Sequence, residues 1–216
     1  MKFLGLDKVL CLSPHPDDVE YGMLGSIIKY EDTDFDIFVL SSGGDFDTTT
    51  GMSRIKETED AVVGLKNCNC ILNDEPTFVK DKSEDEWIYE IETKFDISSY
   101  DTILVPPPED SHFEHRKINT FSQSLVRRIK CGIINYRTPS TIDTWIPNFF
   151  VDLDFFSNTY SSKILDEKIN RLQKFESQKS KSYFSSDSIS SFHNNYQCSQ
   201  RNMFAVELFR IERLYS

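Results

Sequence analysis

The chain has 216 residues, 38% of them hydrophobic with seventeen Phe and nine Tyr, and 35 acidic residues against 24 basic give a formal net charge of −11. That length suits one domain with an ordinary core, and a field of that sign repels nucleic-acid phosphates and anionic membrane surfaces, so nucleic acid and stable membrane association are excluded as expected partners in favour of a neutral or cationic small molecule. No apolar stretch of about 18 residues or signal-peptide core is present, and five cysteines without paired zinc-knuckle spacing predict free thiols in a reducing cytoplasm.

In chain order, apolar runs over 9–12, 35–40 and 102–105 predict buried strands. Each leads into a polar loop: His15-Pro16-Asp17-Asp18, Ser41-Ser42-Gly43-Gly44-Asp45, and Glu109 through His115. Pro14 and Pro16 fix their own φ and bias Ser13 and His15 towards extended backbone, which holds the first cluster at a helix entrance. Helical spacing follows over 22–30 (Met23, Leu24, Ile27, Ile28), from a Ser53 cap through Ala61, Val62 and Leu65 to about Asn67, over 84–95 (Trp87, Ile88, Ile91, Phe95) and over 118–129.

Strands alternating with helices predict a Rossmann-like, three-layer α/β fold with a mostly parallel sheet, a single domain over residues 1–216 with the three polar loops gathered on one edge. A strand is expected over 141–146 and a helix over 162–175, with Leu165, Ile169, Leu172 and Phe175 inward. Residues 176–202, rich in Ser, Lys, Asn and Gln, read as a long surface loop with His193 exposed; 203–209 closes the chain as a strand or helix.

His15 and Asp18 are three apart, as are His112 and His115, so each pair can lie on one side of a helical turn. Three of the four histidines fall in these two clusters. Imidazole and carboxylate are first-choice zinc ligands, and three of them leave an open position for catalysis. Asp17, beside a ligand, is the natural general base. The competing reading is an Asp-Asp cap with favourable dipole charge. Spacing alone leaves open whether His112 or His115 is the ligand.

His15-Pro16-Asp17-Asp18-x-Glu20 and His112-Phe113-Glu114-His115 resemble the two motifs of the PIG-L/LmbE-like family of zinc-dependent N-deacetylases. Agreement extends to Arg54-x-x-Glu57, Pro147-Asn148 with Val151-Asp152, Lys168, Ser177-Gln178 and Ala205-x-Glu207-x-Phe209. The resemblance implies His15, Asp18 and His115 as ligands of Zn²⁺, with another divalent ion such as Fe²⁺ compatible. It implies Asp17 as the base towards the zinc-bound water, His112 as the residue facing the oxyanion or leaving amine, and Arg54 as a substrate contact. An ion pair of Arg54 with Glu57 or Asp45 is the structural alternative. The implied reaction removes an N-acetyl group from an N-acetylglucosamine-type sugar or conjugate. Its alternatives are an amidase on a non-sugar amide or thiol conjugate, and a binding module without turnover; a homo-oligomer is left open. Two departures stand out: Glu114 replaces the family's usual Asp, and no tyrosine precedes the second motif.

Overall fold

The computed structural model describes residues 1–42, 48–73, 77–153, 163–194, 203 and 205–215, the side chains of 48–53 excepted. The chain runs β1 (Lys8–Ser13), α1 (Asp18–Lys29), β2 (Asp34–Val39), α2 (Thr48–Val62), β3 (Cys68–Leu72), α3 (Glu84–Lys94) and β4 (Thr102–Val105). It continues through α4 (Phe113–Leu125), β5 (Gly132–Tyr136), β6 (Phe149–Asp152), α5 (Lys163–Leu172), α6 (Ser186–His193) and β7 (Val206–Arg213). The strands form one sheet in the order β3-β2-β1-β4-β5-β7-β6. The first five are parallel, and β7 runs antiparallel to both β5 and β6.

Continuous apolar runs are what a sheet covered on both faces requires. Val9 and Cys11 pack with Met23, Leu24 and Ile27 of α1, Val62 of α2 and Leu165 of α5. Leu10 and Leu12 point the other way, towards Trp87 and Ile91 of α3 and Ile118 and Phe121 of α4. The three layers predicted from periodicity are therefore present. Successive connections from β1 build outward through β2 to β3, while β4 returns to the opposite side of β1. The order reverses between β1 and β4, and ligands in open α/β sheets bind outside the carboxyl ends of the strands at such a switch point.

Four expectations need correction, the first being a Ser53 cap: α2 already begins at Thr48, so Ser53 lies within the helix. The strand expected over 141–146 is absent: Thr141 makes only an isolated bridge to Asp110, and the strand of this region is β5, upstream. The misleading feature is alternation without burial, since Ile142 and Ile146 are exposed. β3 escapes prediction: its five residues, Cys68–Leu72, are a short run, and beyond Cys68 they are only partly buried or exposed. The segment after residue 175 is no plain surface loop: short 3₁₀ turns at Glu176–Gln178 and Ser182–Phe184 lead to α6, and Phe184, Ile189 and His193 are buried. Ser185 caps α6 by accepting from the Ser188 amide, a signal hidden in a serine-rich stretch of weak helix propensity. His193 is no exposed residue: its Nδ1 donates to the Val206 carbonyl (3.0 Å). Gly43-Gly44-Asp45, Tyr196 and Cys198 lie outside the described residues. Among the described residues no helix is long and apolar enough to cross a membrane, and Cys11, Cys68, Cys70 and Cys131 are free.

β7 is tied to α1 by a buried charge. The Glu207 carboxylate accepts from the amides of Gly25 (2.7 Å) and Ser26 (2.6 Å) and from Lys168 Nζ of α5 (2.6 Å). Both members of the ion pair are fully buried. Gly25 is required by this approach, because a Cβ there would stand 2.8 Å from Glu207 Oε1. A buried charge stripped of its partner is costly, so Lys168→Met should lower unfolding stability by about 3–5 kcal/mol. Denaturant unfolding checks this; an unchanged midpoint would show the pair to be dispensable.

Candidate metal centre and active site

The loop after β1 is fixed from both sides before any functional group is considered. Ser13 Oγ donates to the His15 carbonyl (2.7 Å), and the amides of Leu40 and Ser41, at the end of β2, donate to the carbonyls of Ser13 and Pro14. Asp17 then enters α1 with φ 102° and ψ −25°, a left-handed conformation that a non-glycine residue rarely adopts. That turn leaves Asp17 at the helix entrance and delivers Asp18 on the first turn. Across the switch point, the loop after β4 starts α4 with His112 at its N-cap and Glu114 and His115 in its first turn.

The two loops meet at one oxygen. Asp18 Oδ2 lies 3.0 Å from His15 Nδ1 and 3.2 Å from His115 Nε2. The far nitrogens of both imidazoles are held by further carboxylates: His15 Nε2 is 2.6 Å from Glu114 Oε2, and His115 Nδ1 is 3.1 Å from Asp110 Oδ2. Imidazoles that ligate metals characteristically donate their other N–H to a carboxylate in this way. His112 stands beside them, its ring centroid 4.8 Å from that of His15 and 4.7 Å from that of His115. One nitrogen from each of His15, His112 and His115 falls within 4.8 Å of the others, a group able to hold a metal ion.

The electrostatics point to the same spot. Burial works against charge on His115, yet Asp18 and Asp110 outweigh it and raise its pKa to about 10. Burial likewise opposes charge on His15, and hydrogen bonds to Asp18 and Glu114 prevail, raising it. Burial would raise Asp18, but His115 and His15 hold it well below the usual carboxylate range. A position that draws protons onto two buried imidazoles attracts a divalent cation by the same charge distribution. His112 differs: burial, then His15 and His115, push its pKa down, so it favours the neutral ring.

Asp17 and Arg54 complete the wall. Arg54 Nη2 donates to Asp17 Oδ2 (3.1 Å) and to the Pro16 carbonyl (2.9 Å). Among the described residues Arg54 thus pairs with Asp17 and not with Glu57, which instead accepts from the Ser177 amide and hydroxyl; Asp45 lies outside the described residues. Burial and the Asp18 charge raise Asp17 to about 6, against Arg54, His15 and Lys181. These side chains open onto a cavity of about 270 Å³ that is also lined by Tyr21, Ser140, Lys181, Tyr183 and Phe184.

Two contacts of this site have no sequence signature: Asp110 behind His115, and the backing of Glu114. Asp110 is fully buried at its side chain and also accepts from Thr138 Oγ1 (2.7 Å) and the His112 amide (2.8 Å). The start of the segment expected as a strand helps to strap its loop, since the Ile142 amide donates to the Glu109 carbonyl, and just before that segment the Ser140 carbonyl accepts from the Ser111 amide. An acid two residues before a histidine is visible in the sequence; the fold alone aims it at His115. Glu114, one methylene longer than the family's usual Asp, spans from His15 to the Lys80 amide, 2.8 Å from its Oε1. The carboxylate contact to His15 is therefore kept.

Removing the orienting acid with Asp110→Ala should weaken divalent-metal affinity by about 10–100-fold, measured by metal titration of the purified protein. Metal ligands must shed their protons, so apparent affinity should rise from about pH 6 to about pH 8, with proton release on binding. The sign follows from the raised pKa values: protons on His15 and His115 compete below them and leave above. An affinity independent of pH would contradict the arrangement.

A family model described as PIG-L: GlcNAc-PI de-N-acetylase matches residues 10–126, more than half of the chain, from within β1 to just past α4. The diacetylchitobiose deacetylase of Thermococcus kodakarensis is 25% identical over 210 residues, covering 82% of this chain and 72% of that protein. Among solved structures, the N,N'-diacetylchitobiose deacetylase from Pyrococcus horikoshii superposes with a TM-score of 0.60 at 20% identity, over 97% of this chain and 85% of that one. GalB, a 4-carboxy-2-hydroxymuconate hydratase from Pseudomonas putida, reaches 0.72 at 13% identity, over 97% and 98%. The fold itself thus carries more than one chemistry, and the site must discriminate. With both histidine clusters inside the matched region, the chain belongs to the PIG-L family of de-N-acetylases, hydrolases of an amide C–N bond.

Proposed function

We propose that this chain hydrolyses the N-acetyl group of an N-acetylglucosamine-type sugar or sugar conjugate, releasing acetate and the free amine with the help of a divalent cation, Zn²⁺ by first choice. The carrying observation is the Asp18 oxygen that two carboxylate-backed imidazoles share, with Asp17 beside it. His15, Asp18 and His115 are the residues that would hold the ion. Two nitrogens and one oxygen suit zinc and leave a position open. When bound, the cation supplies Lewis acidity at the amide carbonyl and acidity to water.

The protein's own groups then divide the work. Asp17, fixed by Arg54, accepts a proton from the attacking water as the new C–O bond forms. The same proton is passed to the amide nitrogen as the C–N bond breaks, so the amine leaves neutral and the acyl group leaves as acetic acid, which gives its remaining proton to solvent and becomes acetate. A raised Asp17 pKa brings it nearer the working range of a residue that both takes and returns a proton. His112, kept neutral, donates a hydrogen bond towards the oxygen that gains negative charge, a placement that can contribute several kcal/mol. Arg54 also faces the cavity as a substrate contact. Its small volume, near the lower end of ligand pockets at about 300 Å³, suits one sugar ring with any carrier outside.

Acetate release from a panel of N-acetylated sugars, free and conjugated, tests the reading. The metal-loaded protein is expected to act on at least one; cation binding without release from any substrate under any divalent metal would overturn it. Asp17→Asn should lower kcat by about 10²–10⁴-fold while the metal content stays stoichiometric. A normal rate in that variant would remove Asp17 from the role of base.

A further inference from the structure

The cavity has one wall to which neither motif contributes. It comes from the 3₁₀ turn at Ser182–Phe184 and carries Lys181, Tyr183 and Phe184. Imidazoles aside, the cavity is lined by two basic side chains, Arg54 and Lys181. Arg54 directs its charge to Asp17. Lys181 has no carboxylate partner among the described residues; its ammonium sits 5.7 Å from the centroid of the Tyr183 ring and is exposed at the cavity.

The turn that presents Lys181 is a fixed scaffold. The Lys181 amide donates to the Gln178 carbonyl (2.9 Å) and its carbonyl accepts from the Phe184 amide (3.0 Å). Tyr21 of α1 donates its hydroxyl to the Tyr183 carbonyl (2.8 Å), and Gln173 Nε2 donates to the Phe184 carbonyl (3.2 Å). Phe184 is buried against Tyr21 and Phe175. Such fastening places an ammonium at a set height on the wall while its flexible stem leaves the head free to meet a ligand. In a chain of net charge −11, a lysine with no carboxylate partner among the described residues, beside an acidic centre, opposes the global field. The charge felt by a bound ligand is the local one.

We propose that Lys181 is a specificity-determining residue that receives an anionic substituent, phosphate or carboxylate, borne by the amino sugar away from its N-acetyl group. The proposal rests on the deacetylase reading and narrows its substrate class to anionic amino sugars. Tyr183, backed by the buried Phe184, supplies the apolar side of the same wall, against which a sugar ring can lie.

Acetate release is measured with N-acetylglucosamine, its 1-phosphate, its 6-phosphate and N-acetylmuramic acid, for wild type, Lys181→Met and Lys181→Arg. The phosphate and carboxylate arms distinguish the two sources of negative charge. Wild type should favour at least one anionic sugar over N-acetylglucosamine in kcat/KM. Lys181→Met should shrink that ratio roughly tenfold, mainly through KM, and Lys181→Arg should retain most of it. Added salt should compress the preference. Equal losses on neutral and anionic sugars, with a displaced pH profile of kcat, would overturn the proposal and place Lys181 as a partner of Asp17. Absence of any anionic preference in wild type would overturn it too. Calorimetric binding of N-acetylglucosamine and its 6-phosphate to wild type and Lys181→Met separates this inference from the reaction. Lys181-dependent tighter binding of the phosphate without acetate release would sustain it while the deacetylase reading failed, and equal binding would end it.

Discussion

One carboxylate oxygen, Asp18 Oδ2, joins the two halves of this site. It belongs to the start of α1 through its backbone and meets the first turn of α4 through its contact with His115. Everything nearby serves to keep that contact: Glu114 and Asp110 fix the far sides of the two rings, and Ser13, Leu40 and Ser41 fix the turn that carries His15. Carboxylates crowd around the imidazoles because burial makes each unpaired charge costly, and reciprocal pairing is what makes the cluster tolerable. A divalent cation at the shared oxygen satisfies the same pattern, with metal in place of protons.

The supporting structure is equally dependent on paired burial. Lys168 and Glu207 connect α5, β7 and the middle of α1, so the helix that begins with Asp18 is held at its centre as well as at its entrance. The strained φ of Asp17 is maintained by this framework and by Arg54, which reaches over from α2. Strain of this kind persists where surrounding contacts over-determine the backbone.

Charge acts at two scales here. The global acidity of the chain acts by long-range repulsion, which ordinary salt screens within about 10 Å. Inside the cavity the decisive charges are a few ångströms apart, and Lys181 supplies a positive lip that composition does not reveal. Net charge is therefore a guide to the surface and a poor one to the substrate.

Local pattern was enough for the layered α/β fold, for the strands β1, β2 and β4, and for singling out the two clusters that hold His15, Asp17, Asp18, His112 and His115, which the fold brings together. Apolar runs and short-range motif spacing are properties of neighbouring residues, and they survive any reading of the rest. Packing in three dimensions had to settle that Arg54 pairs with Asp17, that Asp110 backs His115, that residues 141–146 form no strand while Thr141 bridges to Asp110, and that a serine-rich segment buries Phe184 and presents Lys181 to the cavity. Most of those partners lie far apart along the chain, and no local periodicity encodes them. They become neighbours because the sheet reverses its order between β1 and β4 and because α1 offers Tyr21 as an anchor for the segment near 183.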